Sequence, residues 1–198
     1  VALSETEPLM ERAMQYRFKT DSSLEGHNLG NLFIAAMSNM EGDMESGIAA
    51  LCEILNVKGH VWPATTNNVQ LKAEMDDGNV VVGESAITED ARKIKRLMLE
   101  PENPKASQHA VNAILNADAI ILGPGSLYTS VLASLIVPGI KDAVIQSQAV
   151  KIYVCNVMTQ PGETDGFGAY DHVKTIIDHM GKQCLDYVIV NSQEANAE

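Results

Sequence analysis

The 198-residue sequence predicts an α/β fold with a mostly parallel sheet and an inserted antiparallel β-hairpin. Three observations predict it. Strand-like and helix-like segments alternate through the second half of the chain, which is typical of a parallel sheet. A short apolar run, a glycine turn and a helical pattern follow one another at 119–132. Asp77-Gly78 lies between two strand-like runs and indicates the hairpin.

The N-terminal third predicts helices. Leu9, Ala13 and Tyr16 recur at helical spacing, and Pro8 is acceptable near a helix start. An apolar run at 32–37 follows a loop and indicates a second helix. A third helix with one buried stripe is predicted by apolar residues at positions i, i+3, i+4 and i+7, namely Ile48, Leu51, Cys52 and Leu55.

The hairpin strands are expected at 69–75 and 80–82, and the segments after them alternate between strand and helix. Residues 93–99 with the helix opened by Pro104 would form a β-α-β step leading into the strand at 119–122. His172 and His179 are expected on the solvated face of the last helix. The remaining predicted elements are a helix at 138–145 and strands at 151–157 and 185–190.

The stretch at 119–130 is the strongest candidate for a ligand site. Gly123-Pro124-Gly125 ends an apolar strand, and Ser126 begins a helical pattern. In an open α/β sheet this junction lies at the carboxyl end of a strand, where backbone N–H groups can hold an anion. The stretch predicts a phosphate cradle, and an ordinary tight turn that needs glycine for its dihedral angles is the alternative.

Two further loops carry polar side chains. Two glycines, a histidine and two asparagines gather at 26–31, either as a ligand loop or as a turn in which Asn31 caps the next helix. The loop at 156–166 follows a predicted strand. Its Glu163 and Asp165 are candidates for an acid/base pair, a divalent cation site, ribose contacts or plain turn formation.

Composition excludes several classes of function. A net charge of -12 argues against broad contact with a nucleic-acid backbone. Cys52, Cys155 and Cys184 are odd in number and widely spaced, which favours reduced thiols in a cytosolic protein. The N-terminus has no signal-peptide pattern. The uncharged run at 119–140 is interrupted by glycine and proline, so no membrane span is predicted.

Four motifs in order resemble the YvcK family of bacterial gluconeogenesis factors, which is related to CofD, the 2-phospho-lactate transferase. They are GHNLGNLFIAAM at 26–37, ILNVKGHVWPAT at 54–65, LGPGSLYTS at 122–130 and YVCNVMTQPGETDG at 153–166. The resemblance implies a Rossmann-like, doubly wound sheet. Family members open with a glycine-rich GGGTG turn and a DDGGSSG stretch, and this chain starts after both. We therefore expect 1–198 to be a single α/β domain and the C-terminal two-thirds of a longer CofD-like domain.

The resemblance also implies a function. It predicts a cytoplasmic regulator that binds nucleotide sugars, UDP-N-acetylglucosamine in particular, and supports growth and cell shape on gluconeogenic carbon sources. Contact with glucosamine-6-phosphate synthase would direct carbon towards cell-wall precursors. No catalytic residue is assigned. Motif by motif, phosphate contacts are implied for Gly123, Gly125, Ser126 and Thr129, sugar or base contacts for Asn156 and Thr159, and the same side of the cleft for Gly26, His27, Asn28, Gly30 and Asn31.

The alternative is a CofD-type transferase that moves a phosphate-bearing group from a nucleotide-activated donor, with Glu163 or Asp165 helping to hold a metal. The GPGS turn at 123–126, where CofD-like turns read GPSN, favours the regulator. A dinucleotide-binding oxidoreductase is disfavoured because the chain has no GxGxxG followed by an acidic residue. The sequence leaves a homo-oligomer open, and it predicts neither a nucleic-acid partner nor membrane insertion.

Overall fold

The computed structural model describes residues 8–19, 21–90 and 92–193. The chain divides into two compact units, Val1–Thr66 and Asn67–Glu198, which we call the first and the second unit. The second unit contains all the strands that the described residues form. The expectation of a single domain over 1–198 stays a prediction.

The first unit is helical in its described part, as the spacing of apolar residues predicts. Its helices are α1 (Pro8–Gln15), α2 (Leu29–Glu41) and α3 (Met44–Ile54). A Cβ atom on Gly47 would lie 2.4 Å from the Ser38 backbone nitrogen, so glycine lets α3 approach α2 closely. The small core contains Met14, Leu51 and Leu55, with Phe33, Ile34, Met37 and Val57 packed against it.

The second unit mixes strands and helices. The π-helical segment Leu127–Leu132 runs directly into a short α-helix, so the helical stretch after the glycine turn begins one residue after Ser126. In chain order the elements are β1 (Gln70–Met75), β2 (Val80–Val82), α4 (Glu84–Glu89), β3 (Ile94–Glu100), α5 (Gln108–Leu115), β4 (Ala119–Leu122), the π-helical segment, α6 (Ala133–Leu135), α7 (Pro138–Gln146), β5 (Val150–Val154), α8 (Ala169–Met180) and β6 (Tyr187–Ile189).

The hairpin is confirmed, but it belongs to a separate antiparallel sheet with the order β2-β1-β3. The segment predicted to lead into the parallel sheet, β3, instead pairs antiparallel with β1. Ala73 lies opposite Leu97 in this register, and both side chains are buried. The expected β-α-β step is therefore wrong, because cross-strand burial against the hairpin decides the position of β3.

The parallel sheet has the order β4-β5-β6, with Ile121 opposite Ile152 and Val154 opposite Ile189. Helix α7 lies between β4 and β5 in the chain, and α8 lies between β5 and β6. The α/β fold class with a parallel sheet and an antiparallel hairpin is thus confirmed. Because β4 and β5 run parallel, the loops that follow them leave the same edge of the sheet.

The core of the second unit contains residues from both sheets and from the helices between them, among them Tyr128, Tyr153 and Ile176. His172 and His179 contradict the expectation of solvation. His172 is only 2% exposed, and the Nε2 atom of His179 accepts a hydrogen bond from the Leu97 N–H at 2.9 Å. Leu97 is buried, so its backbone N–H requires an acceptor within the protein, and His179 supplies it.

The uncharged run at 119–140 is divided by its glycine and proline residues into strand, turn and helices, as predicted. Within the described ranges, no single helix has the length and apolar composition needed to cross a membrane. Leu127–Leu135 and Pro138–Gln146 meet the length and composition criteria only together, as a pair bent by 77°.

Candidate functional site

The glycine turn after β4 is tight and packed. Gly123 has a φ of +76°, a backbone conformation that residues other than glycine rarely adopt. A Cβ atom at this position would also lie 3.0 Å from the Val154 carbonyl oxygen on the neighbouring strand. The turn therefore needs glycine both for its backbone conformation and for its close approach to β5.

The start of the helical stretch after this turn carries a buried carboxylate. The Tyr128 N–H donates to Glu163 Oε2 at 3.2 Å, and the Thr129 hydroxyl donates to Glu163 Oε1 at 2.7 Å. Glu163 is 6% exposed. A negative charge is stabilised at this end of a helix by the free N–H groups and the helix dipole. The chain itself thus supplies an anion at the place where the sequence predicts a bound phosphate.

Two more residues of the loop after β5 bind the glycine turn. Asn156 pairs with Gly125 twice, since its Nδ2 donates to the Gly125 carbonyl at 2.8 Å and its Oδ1 accepts from the Gly125 N–H at 3.2 Å. Gln160 Nε2 donates to Ser126 Oγ at 2.8 Å. Of the predicted site residues, Gly125, Ser126, Thr129 and Asn156 therefore lie in one hydrogen-bonded network.

Hydrogen bonds between its own residues hold the loop at 156–166 in shape. Thr164 is fully buried, and its Oγ1 accepts from the Gln160 N–H at 2.8 Å. Asp165 Oδ2 accepts from the Gly162 N–H at 2.7 Å, so Asp165 forms a turn. The Glu163 carboxylate faces Tyr128 and Thr129. In the part of the chain that the structure describes, no group of three or more His, Cys, Asp or Glu side chains could hold a metal ion.

A cavity of about 210 Å³ opens beside this network, at the ends of β5 and β6. Asn156 and Thr159, both predicted to contact a sugar or base, line it together with Cys155, Phe167, His172 and Asn191. Burial raises the pKa of the Cys155 thiol, which is therefore protonated at neutral pH. The cavity thus joins apolar, amide and imidazole groups next to the glycine turn.

The loop at 26–31 lies in the first unit and closes on itself. Asn28, rather than the expected Asn31, is the N-cap of α2, because Asn28 Oδ1 accepts from the Asn31 N–H at 3.1 Å. The Gly26 carbonyl accepts from Arg17 Nη1 at 3.1 Å, and His27 Nδ1 lies 3.3 Å from the Glu25 carbonyl oxygen. A Cβ atom on Gly30 would lie 2.9 Å from the Met14 carbonyl oxygen. Ligand contacts by this loop stay a prediction.

Gln160 and His172 are not among the site residues predicted from the sequence. For His172 a signal exists, because it lies four residues before Ile176 and eight before Met180, and all three are buried on one side of α8. For Gln160 the only signal is its position in a loop that follows a parallel strand. Its contact with Ser126 joins residues 34 positions apart, which no local pattern reveals.

The fold and the site define an α/β protein with polar loops at the carboxyl ends of its parallel strands, which is where proteins of this class bind their ligands. The sequence profile of the CofD family, described as 2-phospho-L-lactate transferase CofD, matches residues 1–198. The chain belongs to this family. The predicted relationship to CofD and to the gluconeogenesis factors is confirmed.

Particular relatives are gluconeogenesis factors. The chain is 49% identical over 193 residues to the gluconeogenesis factor of Halalkalibacterium halodurans, covering 98% of this chain and 60% of that protein. It is also 49% identical to the gluconeogenesis factor of Bacillus subtilis, covering 98% of this chain and 61% of the relative. A crystal structure of a UPF0052 family member from Bacillus halodurans has a TM-score of 0.91 and 48% identity, covering 98% of this chain and 63% of that one. The chain spans about three-fifths of the length of these relatives.

Proposed function

We propose that this chain is the nucleotide-sugar-binding part of a gluconeogenesis factor, a regulator that senses UDP-N-acetylglucosamine or a closely related nucleotide sugar. The observation that supports it best is the network joining the glycine turn to the loop after β5. That network holds the backbone of Gly125 and the side chain of Ser126 beside the cavity lined by Asn156 and Thr159. A ligand with a diphosphate and a sugar needs both surfaces, one beside the other.

Glu163 refines where a phosphate would bind. Its carboxylate already accepts from the Tyr128 N–H and the Thr129 hydroxyl, and a phosphate at the same donors would meet a like charge. We therefore propose that the phosphate lies against the backbone of the turn at 123–126. Thr129 would then act through Glu163, by holding the loop in place, and a direct contact of Thr129 with phosphate stays a prediction.

The relatives support the regulatory role. Proteins named gluconeogenesis factor match this chain at 49% identity over nearly all of its length. We propose that the nucleotide sugar reports the supply of cell-wall precursors, and that the loaded protein contacts glucosamine-6-phosphate synthase in the cytoplasm. Both parts rest on the family, and neither needs a catalytic residue in this chain.

A transferase is the second candidate, because the family profile carries the description of 2-phospho-L-lactate transferase. Such an enzyme would use the same turn to hold the phosphates of an activated donor. It would also need a group that stabilises the charge of the leaving nucleotide. The two candidates share a binding surface and differ in whether a product forms.

The experiment is calorimetric titration of UDP-N-acetylglucosamine into the full-length protein, with NAD and a guanine nucleotide as comparison ligands. We expect the nucleotide sugar to bind, and Asn156→Ala to weaken it at least tenfold, because the variant frees the turn at Gly125. Asn112→Ala is the matched control, since Asn112 is exposed on α5 and should leave the affinity unchanged.

Two results would contradict the proposal. Equal binding by wild type and Asn156→Ala, with both folded, would remove the turn from the site. Release of nucleotide with transfer of its phosphate-bearing group to an acceptor would establish the transferase instead. A chromatographic assay of the titrated samples detects that product directly.

A further inference from the structure

One ring nitrogen of His172 is unpaired within the described part of the chain. His172 is 2% exposed and lines the cavity at the ends of β5 and β6. Its Nε2 atom is buried and has no hydrogen-bond partner among the described residues. Buried polar atoms are nearly always paired, so an unpaired nitrogen on a residue that lines a cavity is a candidate for contact with a ligand.

The other ring nitrogen fixes the chemistry of this one. His172 Nδ1 lies 2.9 Å from the Gly168 carbonyl oxygen. A carbonyl oxygen only accepts hydrogen bonds, so Nδ1 must carry the proton. In the neutral imidazole, Nε2 then has a lone pair and no hydrogen. The unpaired nitrogen of this cavity-lining residue is therefore a hydrogen-bond acceptor.

The surroundings fix the imidazole in this orientation. Phe167 packs edge-on against the ring, with centroids 5.5 Å apart and an interplanar angle of 88°. Gly168 is the N-cap of α8, and its carbonyl also accepts from the His172 N–H at 3.3 Å. The backbone N–H and the Nδ1 atom of His172 thus both bind the Gly168 carbonyl. These two contacts and Phe167 restrict rotation of the imidazole ring, so the orientation of Nε2 is set.

We propose that His172 is a specificity-determining residue that accepts a hydrogen bond from an uncharged donor of the ligand, either a hydroxyl or an amide N–H. A diphosphate carries only acceptor oxygens, so Nε2 disfavours it in this cavity. Phosphate would contact the glycine turn, and the donor group would enter the cavity. Asn156 contacts both places, since it binds Gly125 and lines the cavity. This inference rests on the proposed function and adds which part of the ligand each surface recognises.

Two substitutions separate ligand recognition from a structural role. Asparagine can reproduce the donor at Nδ1 and lacks an acceptor at the position of Nε2, whereas glutamine reaches the position of Nε2 and loses the donor at Nδ1. In the full-length protein, we expect His172→Asn to weaken UDP-N-acetylglucosamine about tenfold and His172→Gln to bind within about threefold of wild type. A merely structural histidine predicts the reverse order.

Titration of UDP as a second ligand identifies the part of the nucleotide sugar that carries the hydrogen-bond donor. Weakening of both UDP and UDP-N-acetylglucosamine by His172→Asn would assign the donor to the base or ribose. Weakening of the nucleotide sugar alone would assign it to the sugar hydroxyls or acetamide. His109→Asn, at an exposed position on α5, is the matched control and should leave both affinities unchanged.

Nitrogen NMR of the histidine-labelled wild type tests the same contact without a substitution. We expect the resonance of the unprotonated Nε2 of His172 to shift when the nucleotide sugar binds. Binding without that shift, or equal affinities for wild type and a folded His172→Asn, would overturn the role of His172 alone. Absence of binding by the wild type would overturn the proposed function, and this inference with it.

Discussion

Two of the glycine-containing loops that precede helices supply their helix caps in opposite ways. In the first unit, Asn28 caps α2 by accepting from the N–H group three residues ahead. In the second unit, the helical stretch after Gly125 has no side-chain cap from Ser126, and its N-terminal donors reach Glu163, which lies 35 residues beyond Tyr128. Similar local chemistry thus leads to a local cap in one loop and a remote cap in the other.

The difference matters for function because a remote cap couples two loops. Glu163 can hold the helix start only while the loop at 156–166 keeps its shape, and Asn156 and Gln160 add three more hydrogen bonds to the same turn. A ligand that binds the turn would therefore also affect the loop after β5. The local cap in the first unit creates no such dependence, since all its groups lie within one turn of chain.

The largest effect should come from Gly162→Ala. A Cβ atom there would lie 2.0 Å from the Thr88 carbonyl oxygen, and the φ of +81° already disfavours alanine. We expect the free energy of unfolding to fall by about 3 kcal/mol or more, measured by chemical denaturation. Gly26→Ala and Gly166→Ala are matched controls with positive φ and open space around the Cβ position, and each should cost about 1 kcal/mol. Equal losses of stability in all three variants would show that the close approach of Gly162 to Thr88 adds nothing to the cost of the substitution.

Glu163→Ala should give the second-largest loss in the free energy of unfolding. It removes a buried acceptor from the Tyr128 N–H and the Thr129 hydroxyl, and a hydrogen bond to a charged group contributes about 1.5 to 3 kcal/mol. Thr129→Val tests the pair, because the two substitutions together should cost less than the sum of the single losses. Strict additivity in denaturant unfolding would show that Thr129 and Glu163 do not act as a unit.

Asn28→Ala should cost about 1 kcal/mol, the usual loss for a helix N-cap. Asn31→Ala is the control, since Asn31 contributes its backbone N–H to this cap, and the cost should stay below about 0.5 kcal/mol. Thermal unfolding followed by circular dichroism measures both variants. A larger loss for Asn31→Ala would assign the cap as the sequence first suggested.

The smallest effect is expected from a second remote contact, between His179 and the Leu97 N–H. Burial lowers the pKa of His179, and the nearby Arg96 and Lys141 act in the same direction. A histidine whose pKa is lower in the folded state contributes stability above its unfolded pKa of about 6.5, and this is lost as pH falls through the folded value. Wild type should therefore lose stability relative to His179→Gln on acidification from neutral pH. Parallel stability curves for the two proteins would contradict this.

Much of the fold could be predicted because its signals are local. Asp77-Gly78 specifies the hairpin turn, the glycines at 123 and 125 end β4, and the spacing of Leu51 and Leu55 specifies a helix stripe. The partners of β3 and the cavity that His172 lines could not be predicted in this way. Each depends on residues far away in the chain, and a period of two or 3.6 does not say which sheet or cavity a face meets.

The sequence by itself determined the α/β class, the order of most of its elements and the loops that carry polar groups, because turn chemistry and apolar spacing act over a few residues. Helix α4 (Glu84–Glu89) was not predicted. The tertiary structure decided that β3 joins the hairpin and that Glu163 takes the place of an anion at Tyr128 and Thr129. It also decided that His172 lines a cavity and has one ring nitrogen that no other described residue pairs. These outcomes follow from packing between distant segments, where each buried polar group must find a partner that its neighbours in sequence do not provide.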